Sequence, residues 1–204
     1  MRRPTAASVH RIREKASIFL AELHPAADAE SRDRILAALR RRDHDANHHC
    51  TAWRLGRPPA AWGADDDGEP SGTAGRPMLR VLEGADLTDC LAVCIRWFGG
   101  TKLGTGGLVR AYTACLQGAI AQAETDGSLE TLRILRHGRM QVAPGIAHLP
   151  FALLGAFPEA EFLGQDHAEA GVDVRFACPP ELAGPIAASW RERSRGGEIL
   201  WDPP

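Results

Sequence analysis

The sequence predicts an α+β protein with two domains. An apolar run, Leu91–Ile95, leads through a glycine-rich segment into a helical pattern, which indicates a strand, a loop and a helix in succession. After His137 the patterning restarts in the order βαββαβ, which is typical of a ferredoxin-like domain. We therefore predict a disordered segment over residues 1–14, a domain over residues 15–136 and a second domain over residues 137–204. Each domain is expected to have two layers, a sheet and its helices.

Hydrophobic period and cap residues predict the elements of the first domain. Ile18 and Leu20 alternate as in a strand, and Asp28 is suited to begin a helix with Ile35, Leu36 and Leu39 facing inward. In order, the predictions are a strand at 17–23, a helix from Asp28 to Arg42, a strand at 47–55, a loop at 58–69, a short helix capped by Ser71 or Thr73, a central strand at 91–97, a long helix to Glu124 and a closing strand at 129–135.

The second domain is predicted in the same way. Pro144–Gly145 and Pro179–Pro180 stand before its two helical patterns, as expected near helix starts. The predictions are strands at 139–143, 160–163, 170–177 and 197–201, with helices at 146–157 and 181–193.

Composition restricts the protein class. The 204 residues are 44% hydrophobic, enough for a packed core, and no apolar run is long enough to span a membrane. The N-terminus lacks the apolar segment of a signal peptide, and the five cysteines form no C-x-x-C pair, so we expect buried thiols in a cytoplasmic protein. The net charge is −2, but residues 1–57 are net positive and suit a phosphate backbone.

The glycine-rich segment predicts an anion site at the start of the long helix. Helix starts expose unpaired N–H groups and a partial positive charge, and glycines let a ligand approach them. The phosphate-contact candidates are Lys102, Gly104, Gly106, Gly107 and Arg110. The spacing matches neither a Walker A loop nor the dinucleotide fingerprint. The alternative is that these glycines serve only backbone geometry and packing.

The acidic segment Asp65–Glu69 has two interpretations. Its candidate residues, Asp66, Asp67 and Glu69, could bind Mg²⁺, although their spacing is not that of an EF-hand. Alternatively, they form ion pairs with Lys102 or Arg110 and hold the glycine loop in shape. His48 is expected to hydrogen-bond to this acidic loop.

A row of arginines, Arg40, Arg41 and Arg42, ends the first predicted helix. These side chains could make accessory contacts to a nucleic-acid backbone. The alternative is a solvated helix face.

Four segments, taken together, resemble the YigZ/IMPACT family, whose members are linked to control of translation. The family's glycine-rich signature is similar to residues 96–112, and its acidic Asp-Asp-Gly-Glu-Pro stretch to residues 65–77. Residues 45–49 and 15–19 resemble its Ala-x-His segment and first strand. The resemblance covers about residues 15–125.

This resemblance implies a first domain folded like domain IV of elongation factor G, followed by a ferredoxin-like domain. It also implies binding to RNA or to the translation machinery, and a regulatory protein partner, because eukaryotic members act through protein partners that regulate a stress kinase. No cofactor is implied. The alternatives are a metal-assisted phosphotransfer or hydrolytic enzyme that uses the acids at 65–69, and a pure protein-interaction module.

Overall fold

The computed structural model describes residues 1–56, 61–168 and 171–202, and it divides the chain into two compact units at residues 1–132 and 133–204. The division lies a few residues before the expected boundary at 136–137.

The first unit is built on a five-stranded antiparallel sheet with the order β2-β3-β6-β4-β5 and a separate two-stranded ribbon of β1 and β7. Its strands are β1 (Arg2–Pro4), β2 (Ser8–Glu14), β3 (Ser17–Pro25), β4 (His48–Leu55), β5 (Ala61–Asp65), β6 (Cys90–Trp97) and β7 (Leu129–Thr131). Its helices are α1 (Ala29–Arg42), α2 (Gly75–Gly84) and α3 (Thr105–Thr125).

Strand β6 is the centre of the sheet and is covered on both faces, as its continuous apolar run predicts. Cys90, Ala92 and Cys94 belong to the core under α2 and α3, whereas Leu91, Val93 and Ile95 belong to the core that α1 covers. The α+β class is therefore confirmed, but this unit has three layers where the sequence predicted two. The likeness to domain IV of elongation factor G stays a prediction.

The predicted disorder of residues 1–14 is wrong, because this segment forms β1 and β2. All seven residues of β2 pair with β3, and the Ser8 hydroxyl donates to the Ala119 carbonyl oxygen at 2.9 Å. In β1, the Arg2 N–H donates to the Asp86 carbonyl oxygen at 2.7 Å. Both strands lie at edges and carry several polar side chains, so backbone hydrogen bonds rather than apolar burial hold them, and hydropathy does not reveal them.

Two other expectations for this unit need correction. The predicted loop at 58–69 contains β5, a short edge strand paired with β4; residues 57–60 lie outside the described residues. The predicted closing strand at 129–135 is the three-residue β7, which pairs with β1 and not with the main sheet. The helix at 28–42 is confirmed, because Asp28 and Ser31 form a capping box at its start.

The second unit has the predicted βαββαβ order. Its elements are β8 (Arg136–Val142), a 3₁₀ turn (Pro144–Ile146), α4 (Leu149–Leu154), β9 (Glu161–Ala168), β10 (Gly171–Cys178), α5 (Pro180–Arg193) and β11 (Ile199–Trp201). The four strands are antiparallel in the order β11-β8-β10-β9, and their core includes Met140, Val174, Phe176, Ile186 and Trp190. The first helix, Leu149–Leu154, is shorter at both ends than the predicted 146–157, and a 3₁₀ turn precedes it. Residue 170, the expected start of a strand, lies outside the described residues.

Among the described residues, no helix is both long enough and apolar enough to cross a membrane. The five cysteines are free and buried, as predicted.

The division of the chain generates a prediction about independent folding. A fragment of residues 1–132 keeps every strand pair of the first unit, so we expect a single cooperative thermal transition in circular dichroism and calorimetry. A fragment of residues 7–132 lacks β1 and should melt several degrees lower. A gradual, non-cooperative transition of the longer fragment would show that the first unit needs the second in order to fold.

Candidate functional site

The glycine loop between β6 and α3, residues 98–104, is shaped by the ends of neighbouring strands. The Phe98 N–H donates to Asn47 Oδ1 at 2.7 Å, and the Gly99 N–H donates to Ser17 Oγ at 3.3 Å. A Cβ atom at Gly99 would lie 1.9 Å from the Ala16 carbonyl oxygen, so no other residue fits without backbone movement. Steric space alone therefore requires a glycine at position 99.

Helix α3 begins immediately after this loop without a side-chain cap. Gly104 precedes its first turn with a φ of 73°, and the Leu108 N–H donates to the Gly104 carbonyl oxygen at 2.9 Å. The N–H groups of Thr105, Gly106 and Gly107 have no acceptor among the described residues. Thr105 and Gly106 are exposed, so this 21-residue helix presents unpaired donors and its partial positive charge to solvent.

Three cations surround this helix start. Lys102 and Arg110 are exposed, and neither has a carboxylate partner within the part of the chain that the structure describes. A Cβ atom at Gly106 would lie 3.6 Å from Arg110 Nη1, so the guanidinium group lies over the first turn. Lys15 Nζ donates to the Lys102 carbonyl oxygen at 3.5 Å. The predicted residues Lys102, Gly104, Gly106, Gly107 and Arg110 thus belong to one positively charged surface, which we call the α3 anion surface.

In the acidic loop at residues 65–69, Asp66 caps helix α2. Its two carboxylate oxygens accept from the N–H groups of Gly72 at 2.7 Å, Ala74 at 3.0 Å and Gly75 at 2.8 Å. Partial burial raises the pKa of Asp66, but these three hydrogen bonds outweigh it and hold the pKa below its ordinary value of 3.8. The predicted caps Ser71 and Thr73 do not have this role, because Ala74 stands at the cap position and Thr73 Oγ1 donates to the Pro70 carbonyl oxygen.

Asp67 connects the acidic loop to α1 and β4. Its Oδ1 accepts from Arg40 Nη2 at 2.7 Å, and its Oδ2 accepts from the His49 N–H at 2.6 Å. As predicted, the His48 ring contacts this loop, with Nδ1 2.8 Å from the Asp67 carbonyl oxygen.

Glu69 forms a buried ion pair with Arg96. Its Oε1 accepts from Arg96 Nη1 at 2.6 Å and from the Tyr112 hydroxyl at 2.7 Å, and both charged side chains are at most 5% exposed. The predicted pairing of the acids with Lys102 or Arg110 is therefore wrong. Arg96 is the nearer partner because it lies near the end of the buried strand β6, on the same face as Cys94.

Tyr112 and Cys50 complete this buried network. The Cys50 thiol donates to the Tyr112 hydroxyl oxygen at 3.3 Å, and burial raises the pKa of Cys50 to about 12, so the thiol stays neutral at neutral pH. Burial also raises the pKa of Tyr112. Tyr112 is fully buried against Phe19, with ring centroids 5.1 Å apart, so it packs in the core and offers no surface for stacking on a base.

The acids also bear on the magnesium hypothesis. Within residues 1–56, 61–168 and 171–202, no three His, Cys, Asp or Glu side chains converge as a metal site. The carboxylate oxygens of Asp66 and Asp67 already accept from backbone amides and from Arg40. In the observed arrangement these acids connect the loop to helix α2, helix α1 and strand β4.

Two of the three arginines at the end of α1 form ion pairs with carboxylates. Arg40 pairs with Asp67, and Arg42 pairs with the buried Glu22 and with Asp43. Arg41 is exposed. A contact of these arginines with a nucleic-acid backbone stays a prediction.

A pocket of about 340 Å³ opens beside the α3 anion surface, and we call it the α3 pocket. Its lining includes Glu69, Arg96, Phe98, Lys102, Leu103 and Leu108. Sequence reasoning missed Arg96 and Phe98. The available signal was one charged residue near the end of an otherwise apolar strand, with an aromatic residue that is 44% exposed two positions later.

The capping role of Asp66 generates a prediction. Replacing Asp66→Ala leaves amides at the start of α2 without an acceptor, so we expect a loss of about 1–3 kcal/mol of unfolding free energy at pH 7 in urea denaturation. Because folding lowers the pKa of Asp66, this stabilisation exists above pH 3.8 and disappears as the pH falls through the folded-state pKa. The difference in unfolding free energy between wild type and variant should therefore become smaller below pH 3.8.

Asp45→Ala is the matched control, because Asp45 is an exposed acid without a hydrogen-bond partner among the described residues. Equal stability of the two variants at neutral pH, or a gap that widens in acid, would refute the capping role.

Comparisons with known proteins agree with the motifs. The family model of the Impact N-terminal domain matches residues 15–120. The IMPACT family member YigZ of Escherichia coli K12 is 34% identical over 89% of this chain and 87% of its own length. A member from Thermus thermophilus is 33% identical over 91% and 96% of the two chains. A crystal structure of a hypothetical protein aligns with a TM-score of 0.60 at 32% identity, covering 98% of this chain and 95% of the other. The chain belongs to the IMPACT family.

Proposed function

We propose that this protein is a translation-regulator-like factor that binds RNA or another component of the translation machinery, with phosphate groups held at the α3 anion surface. The observation that carries the proposal is the uncapped start of α3, whose exposed amides lie next to Lys102 and under Arg110. Backbone amides, a helix dipole and unpaired cations are the combination that binds phosphate oxygens. The resemblance of the chain to proteins linked to control of translation supports an RNA partner.

The acidic loop supports this surface without contacting the phosphate groups. Glu69 neutralises the buried Arg96, and Asp66 and Asp67 hold α2 and α1. Because these acids have their own partners, they do not neutralise Lys102 or Arg110. The cations of the α3 anion surface therefore remain available for phosphate.

Of the three arginines at the end of α1, we propose only Arg41 as an accessory phosphate contact. Its neighbours Arg40 and Arg42 already have carboxylate partners, so a phosphate would have to compete with Asp67, Glu22 or Asp43 for them. Arg41 is exposed, and its charge can be used without breaking an ion pair seen in the structure.

The proposal predicts the effect of removing one cation from the α3 anion surface. Lys102→Ala should weaken binding of single-stranded RNA and lower the slope of log affinity against log salt by about 0.7, the value of one phosphate contact. Arg110→Ala should act similarly. The measurement is fluorescence anisotropy of a labelled RNA at several salt concentrations.

Arg191→Ala is the control, because it removes an exposed arginine of the second unit. It should leave affinity and slope unchanged. If Lys102→Ala binds RNA as wild type does while circular dichroism shows an intact fold, the α3 anion surface is not the interface. Salt-insensitive binding to ribosomal proteins would favour an interaction module, and turnover of a phosphoester would favour an enzyme.

A further inference from the structure

The α3 pocket adjoins the α3 anion surface, because Lys102 and Gly104 belong to both and Thr105, which bears one of the exposed amides, also lines the pocket. A ligand with a phosphate on the exposed amides therefore has a cavity of about 340 Å³ within reach of its next group. Phe98, Leu103 and Leu108 make much of the wall apolar. A wholly polar ligand would not use this wall, whereas a flat heterocycle would.

Glu69 gives this pocket one specific polar group. Its side chain is only 3% exposed, and its Oε1 is occupied by Arg96 and Tyr112. Its Oε2 has no hydrogen-bond donor among the described residues. This oxygen is not among the fully buried unpaired side-chain atoms of the described residues, so a ligand can reach it, and an N–H donated there forms a charge-assisted hydrogen bond.

Phe98 gives the pocket an aromatic face. The ring lines the cavity and is 44% exposed, although the residue directly follows a buried strand. The Arg96 guanidinium carbon lies 5.4 Å from the ring centroid on the protein side. Exposed aromatic rings beside a cationic surface are the usual stacking platform for bases of single-stranded nucleic acid.

We propose that the α3 pocket receives one base of a bound single-stranded RNA, with the base stacked on Phe98 and an amino group donating to Glu69 Oε2. This inference rests on the proposed phosphate binding at the α3 anion surface and extends it from the backbone to the base. The neighbouring phosphate lies on the amides of Thr105 and Gly106 and on Lys102.

The proposal implies a base preference. Cytosine carries an amino group at the position where uracil carries a carbonyl oxygen, and the two bases are equal in size. A carboxylate accepts from the cytosine amino group but repels the uracil oxygen. We therefore expect the protein to bind a strand with cytosine more tightly than one with uracil, and a strand with either base more tightly than an abasic strand.

The test uses the full chain and three labelled eight-nucleotide strands: oligo-cytidine, oligo-uridine and an abasic ribose-phosphate strand. We expect wild type to bind oligo-cytidine about fivefold more tightly than oligo-uridine. Phe98→Ala should weaken oligo-cytidine binding about 5- to 100-fold, the range measured for one stacked base, and leave the abasic strand unaffected. Trp62→Ala is the control, since Trp62 is 58% exposed in the same unit and does not line the pocket.

The outcomes separate the two proposals. Lys102→Ala should weaken all three strands, because it removes a phosphate contact. Suppose that Lys102→Ala weakens all three strands, but Phe98→Ala weakens the abasic strand as much as oligo-cytidine or changes no affinity. The pocket then does not hold a base, while the phosphate proposal stands. Equal binding of oligo-cytidine and oligo-uridine by wild type would refute the role of Glu69. If Lys102→Ala weakens none of the strands, the phosphate proposal itself fails.

Discussion

The ion pair between Glu69 and Arg96 joins three parts of the first unit that are far apart in sequence. Arg96 lies one residue before the end of the central strand, Glu69 ends the acidic loop, and Tyr112 on α3 donates to the same carboxylate oxygen. The guanidinium group contacts the rings of Phe19 and Phe98, with its carbon 5.2 and 5.4 Å from their centroids. Burying two charges is costly, and removing one partner of such a pair typically destabilises a protein by about 3–5 kcal/mol. The relative positions of loop, strand and helix therefore depend on both charges being present.

The glycine loop illustrates how one segment can satisfy two constraints. Gly99 is required because its backbone passes next to the Ala16 carbonyl oxygen, a reason internal to the fold. Gly104 and Gly106 stand where α3 begins and leave its first amides open to solvent. Packing and the proposed anion binding, which the sequence analysis treated as alternatives, are compatible because different glycines of residues 98–107 would serve them.

Prediction of the elements from the sequence was most accurate where burial or a local hydrogen bond determines the structure. The apolar run around Val93 indicated a central strand, and Asp28 indicated the start of α1, because the relevant contacts are local or strongly hydrophobic. Edge strands β1, β2 and β5 were missed because polar side chains do not show which backbone groups are paired. The partners of the acids were predicted wrongly because an ion pair depends on three-dimensional distance, and Glu69 meets Arg96 across 27 positions of the chain.

The pairing of β1 with β7 has a consequence for the order of events during synthesis. Arg2 is aligned with Thr131, so β1 meets its partner strand only after almost the whole unit has been synthesised, although its backbone also bonds to residues 86 and 88. The central pair β3 and β6 likewise joins Ile18 to Trp97. Contacts of such wide sequence separation slow folding, because long loops must close before any pairing stabilises them. We therefore expect the pairing of β1 with β7 to form late in the folding of the unit.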